Sequence, residues 1–382
     1  MSHALTTAPF AELQVGKHRV SILKDGDQAF PLMLEAIRGA KRTICFETYI
    51  FREDTIGRRF LEALIERAKA GIEVSLLVDG WGTGDLSVDL RQRFRIAGVK
   101  WLVFGRVRFP RRIERWVSRL RRRNHRKALV VDGKIAFAGG LNISDEYATG
   151  DEGSALWRDT HVRVEGHAAL NLQTLFLETW KRYRGPPLDV TRYSSPPREA
   201  PSGVRVVAND FGRANKDIRK AYQQAFNHAQ RRIDIMNAYF VPPSRVLKAL
   251  RHAARKGVAV SIIIGAATDV RLVLLAARHL YARLLRSGIR IYEWDERVLH
   301  AKTAVIDGRW ATIGSANLDH LSLHSNLEVN VVVEDAAVGV AMERLFEEDL
   351  AKSKEVTLDW VRGRGWLERG FWWLAYQVRY WL

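Results

Sequence analysis

Apolar residues fall along the chain in two alternating rhythms. Residues 18–23 read as a strand, and 30–39 as a helix whose Phe30, Met33, Leu34 and Ile37 share one face. Residues 43–51 are strand-like and 55–70 suit an amphipathic helix. The apolar run 72–78 fits a buried strand closed by Asp79-Gly80-Trp81-Gly82. The order then returns, with strand 204–208, helix 215–229, strand 233–240, helix 246–256 and strand 258–264. Helical spacing also marks 168–180, 268–286 and 336–350. The middle one mixes Leu272, Leu275 and Leu284 with arginines, and either packs on a sheet or borders a lipid entrance. Strands alternating with helices place the chain in the α/β class. Residues 184–201, rich in Pro, Ser and Arg, read as a linker. The pattern therefore predicts a first domain over 17–183, a second over 202–350 and a tail over 351–382.

A repeat supports that division. His125-Arg-Lys127-Ala-Leu-Val-Val-Asp132 is followed by Gly139-Gly140-Leu-Asn142, and His300-Ala-Lys302-Thr-Ala-Val-Ile-Asp307 by Gly314-Ser315-Ala-Asn317. Every matched position is 175 residues from its counterpart across a window of 18. That period is far too long for a solenoid and implies two homologous halves. The apolar run inside each copy is a strand, and Asp132-Gly133 and Asp307-Gly308 are hairpin turns. Residues two apart on a strand share a face, so His125 lies beside Lys127 and His300 beside Lys302. The turn aspartates Asp132 and Asp307 belong to the catalytic motif, yet they sit better to fix it than to touch substrate.

Two imidazoles, two ammoniums and two amides suit chemistry at phosphorus. Neutral imidazole can attack phosphorus near pH 7, while a second imidazole protonates the leaving alcohol and later deprotonates the acceptor. Lys127, Lys302, Asn142 and Asn317 can hold the non-bridging oxygens of the phosphate. No metal or other cofactor is required, and no Cys cluster or dense acidic cluster accompanies these histidines. Glu47 and Tyr49 after the first-half strand, and Asn237, Tyr239 and Phe240 after its counterpart, are candidates for the acceptor pocket.

These residues resemble the phospholipase D superfamily. The flanks Asn124-His-Arg-Lys127, Ala138-Gly-Gly-Leu-Asn142, Asn237-Ala-Tyr239-Phe240-Val-Pro-Pro243 and Gly314-Ser-Ala-Asn317-Leu-Asp319 are similar to bacterial cardiolipin synthases of the type without membrane-spanning helices. The resemblance implies two phospholipase D-like domains, each a mixed sheet flanked by helices, packed about a pseudo-twofold so that both motifs meet at one site. It also implies that one histidine, His125 in the family pattern, becomes a phosphohistidine and the other is general acid and base. Asp159 matches the acidic residue that orients the first-half histidine, and Glu328 the one for the second half. Leu321 stands where the related stretch has Arg.

Charge and composition bear on the partner. The 382 residues carry 61 basic against 43 acidic side chains, formally +18, which calls for an anionic partner, nucleic acid or acidic lipid. Between Arg106 and Lys127 there are eleven basic residues and one acidic, interleaved with Phe109, Ile113, Trp116, Val117 and Leu120, as in an interfacial helix. Five of the twelve tryptophans lie in the last 23 residues, where Phe371, Leu374, Ala375 and Val378 recur at helical spacing. Such a tail suits a headgroup layer or a dock on the core. No run is long enough to span a membrane, Cys45 is the single cysteine, and the first residues lack a secretory pattern. The expectation is a peripheral protein on the cytoplasmic face of a bacterial membrane, with anionic phospholipid as substrate and surface. It would transfer a phosphatidyl group from one phosphatidylglycerol to another. Hydrolysis to phosphatidic acid is the alternative. A phosphodiester nuclease also suits the charge but gives no reason for Trp and Leu among the arginines. Oligomeric state is not legible in the sequence.

Overall fold

In the computed structural model, residues 12–84, 86–106, 122–148, 157–194, 203–210 and 217–381 are described. The chain divides into a first unit, Met1–Arg106 with Lys127–Val204, and a second, Val107–Arg126 with Arg205–Leu382. The first is built on β1 (Leu13–Val15), β2 (His18–Lys24), β3 (Thr43–Thr48), β4 (Glu73–Asp79), β5 (Lys100–Phe104), β6 (Ala128–Val131), β7 (Ile135–Gly139) and β8 (Thr160–Glu165), in the order β1-β2-β8-β7-β6-β3-β4-β5. The second holds β9 (Val204–Asn209), β10 (Arg232–Asn237), β11 (Ala259–Gly265), β12 (Ile289–Trp294), β13 (Lys302–Ile306), β14 (Trp310–Gly314), β15 (Glu328–Glu334) and β16 (Lys354–Val356), in the order β9-β15-β14-β13-β10-β11-β12-β16. Strand for strand the two orders match, apart from β1 in the first sheet and β16 in the second.

The central strands explain the mixed character. Thr43–Thr48 is buried throughout, parallel to β4 on one side and antiparallel to β6 on the other. Its counterpart β10 pairs the same way with β11 and β13. Burial on both faces is why these strands read as nearly continuous apolar runs. The first unit carries helices α1 (Asp25–Arg38), α2 (Thr55–Lys69), α3 (Val88–Ala97) and α4 (His167–Arg182). The second carries α5 (Asp217–His228), α6 (Ser244–Arg255), α7 (Arg271–Leu285), α8 (His320–His324), α9 (Ala336–Leu350), α10 (Leu358–Arg362) and α11 (Trp366–Gln377). Helix α2 buries Ile56, Phe60, Leu61, Leu64 and Ile65, a helical stripe, and the Asp54 carboxylate caps it by accepting from the Gly57 amide.

Three sequence expectations change. Residues 351–382 are not a separate segment. Strand β16 pairs with β12 through Ile291↔Val356, and α11 packs on α7 with Trp372 and Ala375 buried. Helix α7 itself packs inward on Val273, Ala276, Ala277, Leu280, Tyr281 and Leu284. Arg278 on it forms a two-pronged ion pair with Glu293 of β12, at 2.9 Å for each prong, so this arginine ties the helix to the sheet. The described end of the basic stretch, residues 122–126, belongs to the second unit rather than the first. The interfacial helix expected there falls largely on residues 107–121, outside the described residues.

The motif aspartates hold the hairpins in place. Asp132 and Gly133 both have positive φ, 55° and 64°, and Asp307 and Gly308 repeat this at 54° and 61°. Positive φ at both central positions defines the turn that matches strand twist. Asp132 accepts from the amides of Lys41, Arg42 and Thr43, and Asp307 from those of Gln230, Arg231 and Arg232. Each carboxylate therefore ties a hairpin tip to the start of the central strand. This corrects the catalytic assignment of Asp132 and Asp307, whose oxygens are occupied by backbone amides.

Burial alone would raise the Asp307 carboxyl, but the amides of Arg232, Gln230 and Arg231 and the Arg231 charge hold it below the usual range. A depressed folded value contributes stability that is complete above about pH 4, the unfolded value, and is lost as pH falls through the folded one. Asp307→Asn is expected to cost about 1–3 kcal/mol in urea melts at pH 7. The gap from wild type should close as pH falls below about 4. A gap of the same size at pH 2 and pH 7 would contradict this role.

Candidate active site

The second motif opens β13. Lys302 is fully buried opposite Asn237 of β10, and its ammonium donates to the His300 carbonyl oxygen. His300 precedes the strand and is 5% exposed. The Asn237 side-chain oxygen accepts from the Leu318 amide at 3.0 Å. The Asn237 Nδ2 and Asn317 Oδ1 are buried without a partner among the described residues. Such buried polar atoms are costly, and a ligand oxygen or donor would relieve them.

The first motif histidine is held by the second unit. Residues 123–125 lie alongside Leu327: the Leu327 amide donates to the Arg123 carbonyl and the His125 amide to the Leu327 carbonyl, each at 2.9 Å. Arg126, fully buried, donates to the carbonyls of Glu328 at 3.3 Å and Asn209 at 3.0 Å. This places His125 Nδ1 3.0 and 3.1 Å from the two Glu328 oxygens. The Ser315 hydroxyl donates to Glu328 Oε2 at 2.5 Å. Glu328 therefore partners His125, not His300, which corrects the expectation that it orients the histidine of its own half. The reason is topological: the chain passes into the second unit before Arg126 and returns at Lys127. A carboxylate partner calls for the proton on Nδ1, so in the neutral ring Nε2 is the unprotonated nitrogen.

The remaining first-half residues lie in the first unit. The fully buried Lys127 ammonium sits 5.2 Å from the centre of the Tyr49 ring, a cation–π contact. Glu47 is buried on β3 opposite Ala128. Asn142 accepts from the Ile50 amide at 3.1 Å and donates to the Tyr147 hydroxyl at 2.8 Å. Its amide thus clamps the loop after β7 and keeps a second Nδ2 hydrogen for a further acceptor.

Asp159, also buried, matches Glu328 by register, because Gly139 pairs with His161 as Gly314 pairs with Asn330. A side chain at Gly140 would collide with the Asp159 carboxylate, whereas Ser315 at the equivalent place faces the longer Glu328 and bonds to it. That difference accounts for the Gly/Ser alternation in the two motifs. His161 Nδ1 accepts from the Leu141 amide at 3.4 Å, and Asn330 Oδ1 from the matching Ala316 amide at 3.3 Å. Burial pushes the His161 imidazole down to about 4, Asp159 raising and Lys127 lowering it, so it stays neutral as this acceptor role requires.

Two pocket candidates fare differently. Phe240 is fully buried in the second apolar core, which corrects its placement in an acceptor pocket. Tyr239 reaches the other way, its hydroxyl donating to Asp269 at 2.6 Å. Sequence reasoning missed Arg126, Ser315, His161 and Asp319 as site-building residues. The first two lie inside the motifs, at positions the repeat leaves variable. Asp319 caps α8 through the Ser322 amide at 2.7 Å. Burial lifts its carboxyl to about 7; the Ser322 amide opposes, Glu328 adds to the rise, and Lys302 lowers it. Among the described residues no group of three or more His, Cys, Asp or Glu is placed to hold a metal ion, and no helix is long and apolar enough to cross a membrane.

The family described as "Cardiolipin synthase, PLD-like domain" matches residues 33–180 and 222–350. A cardiolipin synthase of Geobacillus thermodenitrificans strain NG80-2 is 37% identical over 327 residues, 83% of this chain and 64% of that protein. A cardiolipin synthase of Geobacillus sp. strain WCH70 is 36% identical over 361 residues, 92% of this chain and 71% of the relative. The chain thus spans 64% of the first relative's length and 71% of the second's. The crystal structure of phosphatidylserine synthase from Haemophilus influenzae Rd KW20 has a TM-score of 0.72 at 14% identity, covering 98% of this chain and 97% of that one, a likeness of fold.

The hydrogen bond to Glu328 fixes a measurable property of His125. In ¹⁵N-edited spectra of the free protein the neutral His125 ring is expected to carry its proton on Nδ1. Glu328→Ala should release it toward the Nε2-protonated form that free imidazole side chains prefer. A wild-type ring already protonated on Nε2 would contradict the assignment.

Proposed function

The chain belongs to the family of cardiolipin synthases with PLD-like domains, and from that premise we propose that it transfers a phosphatidyl group between two phosphatidylglycerol molecules. The observation that carries this reading is the His125–Glu328–Ser315 chain of hydrogen bonds, which orients the His125 ring through Nδ1 and makes Nε2 the nitrogen suited to attack. His125 Nε2 attacks the donor phosphorus and forms a P–N bond. The P–O bond to the headgroup glycerol breaks, and the leaving oxygen takes a proton from His300. Glycerol departs. A hydroxyl of the second phosphatidylglycerol then gives its proton to His300 and attacks phosphorus. The P–N bond breaks, releasing cardiolipin and restoring His125.

Charge on the non-bridging oxygens is offset by Lys302 and, through the repeat, by Lys127. Asn317 and Asn237, whose amides each keep a partnerless buried atom, are suited to hold substrate oxygens in the second unit. Exclusion of water decides transfer against hydrolysis. A well-placed acceptor can have an effective molarity of about 10⁵ M or more, which outweighs bulk water. A peripheral position on the cytoplasmic face of the membrane supplies donor and acceptor in one plane, and an excess of positive charge suits that anionic surface.

On pure phosphatidylglycerol vesicles the expected products are cardiolipin and free glycerol. His125→Ala and His300→Ala should each lower turnover by about 10³-fold or more. Phosphatidic acid as the main product would replace this reading with a hydrolase. Near-normal turnover in either single variant would overturn the two-histidine mechanism.

A further inference from the structure

A cavity of about 410 Å³ in the second unit shares no residue with the two His-Lys repeats, although Val241, Pro242 and Pro243 of a flanking stretch line it. Arg219, Arg245, His320, His324, Arg379 and Tyr380 line it, and no carboxylate does among the described residues. Arg219 donates from Nη1 to His324 Nε2 at 2.7 Å. The His320 and His324 rings stack at 4.2 Å, and Tyr380 meets His320 edge-on at 4.6 Å. Arg379 lies 4.3 and 4.4 Å from the Tyr376 and Tyr380 ring centres and donates to the Tyr380 hydroxyl at 3.0 Å. The Arg219 and Arg379 guanidiniums thus have an imidazole and tyrosines as neighbours, none of which carries a neutralising negative charge. Burial, and then the charge of Arg245, lower the pKa of Arg219. Arg245 also stands in the first turn of α6, whose N-terminus adds positive potential.

What lies beside this cavity indicates the source of its anion. Helix α11 supplies Tyr376, and the chain continues from it to Arg379 and Tyr380. One side of α11 docks on α7 through Trp372 and Ala375. The rest exposes Trp366 (79%), Leu367 (59%), Phe371 (62%), Trp373 (51%) and Leu374 (55%), with Trp381 following. A monomer seldom leaves so many large apolar side chains together in water. Tryptophan and tyrosine favour the headgroup zone, and exposed Arg362 and Arg369 flank the rings. A free phosphate would use the cationic pocket and leave the rings without a role, whereas a phospholipid uses both.

We propose that this cavity is a socket for the phosphodiester of an anionic phospholipid, and that the exposed face of α11 beside it is where the chain rests on the bilayer. The inference deepens the proposed function by naming its membrane contact, and rests on that reading only for the choice of lipid. The probe is flotation of the full chain with vesicles of pure phosphatidylglycerol or pure phosphatidylcholine at about 0.15 M salt. The double variant Arg219→Gln/Arg245→Gln is expected to bind phosphatidylglycerol vesicles about tenfold more weakly or worse. Its melting curve and its weak binding to phosphatidylcholine should stay as in wild type. The pair Arg219→Lys/Arg245→Lys should recover most of the loss, and Trp366→Ser/Phe371→Ser should weaken binding to both vesicles.

Unchanged phosphatidylglycerol binding in the Gln variant would overturn the socket. So would inorganic phosphate that binds there without vesicles and is not displaced by them, which would make it a small-anion site. Self-association lost in Trp366→Ser/Phe371→Ser, with vesicle binding intact, would reassign the α11 face to a second copy of the chain. Binding is read without turnover, so failure here leaves the assigned reaction standing. Failure of the product assay likewise leaves the socket standing.

Discussion

The Glu328 carboxylate has no exposed surface, meets His125 Nδ1 with both oxygens, and receives the Ser315 hydroxyl on one of them. An ionised carboxylate is costly to bury unless it is hydrogen-bonded, and removing one partner of such a group costs more than the bond itself. Here the bonds that offset burial are the ones that set the reactive ring. Arg126 adds to this by holding the carbonyl of Glu328 and that of Asn209, so the backbone on both sides of the histidine bond is fixed. Orientation and tautomer of His125 follow from these contacts, and the proposed attack on phosphorus depends on them.

The duplicated hairpins serve a different purpose. Their turns bring Asp132 and Asp307 back onto the central strands β3 and β10, three amides to each carboxylate. That fixes the register of β6 and β13, the strands that begin at or just after Lys127 and Lys302. The loops that follow differ in detail. Gly140 leaves room for the shorter Asp159, Ser315 reaches the longer Glu328, and His161 and Asn330 hold the same backbone amide in the two halves. Symmetry is kept in the backbone and varied in the side chains.

Local chemistry was legible in the sequence, and long-range pairing was not. The repeat, the hairpin turns and the strand–helix order depend on neighbours a few residues apart, so periodicity finds them. The partner of His125 lies 203 residues away, and nothing in a single sequence says that the first-half histidine faces the second-half glutamate. The same limit applies to β16, three residues long, whose place at the edge of the second sheet depends on β12. Phe240 reads like a pocket residue because it follows a motif strand, yet an apolar ring at a strand end is as well suited to the core where it lies. The Trp-rich tail combined two readings that sequence treats as exclusive: α11 buries Trp372 and exposes Trp366 and Trp373.

The central claim is that a carboxylate from the second repeat sets the histidine of the first for attack. It is tested most directly by trapping the covalent enzyme during turnover on phosphatidylglycerol and locating the phosphorus by peptide mass, in wild type and in Glu328→Gln. The label is expected on His125, and its rate of formation should fall by about 10²–10⁴-fold in the variant. Label on His300 alone, or an unchanged rate on His125 without the Glu328 charge, would contradict it.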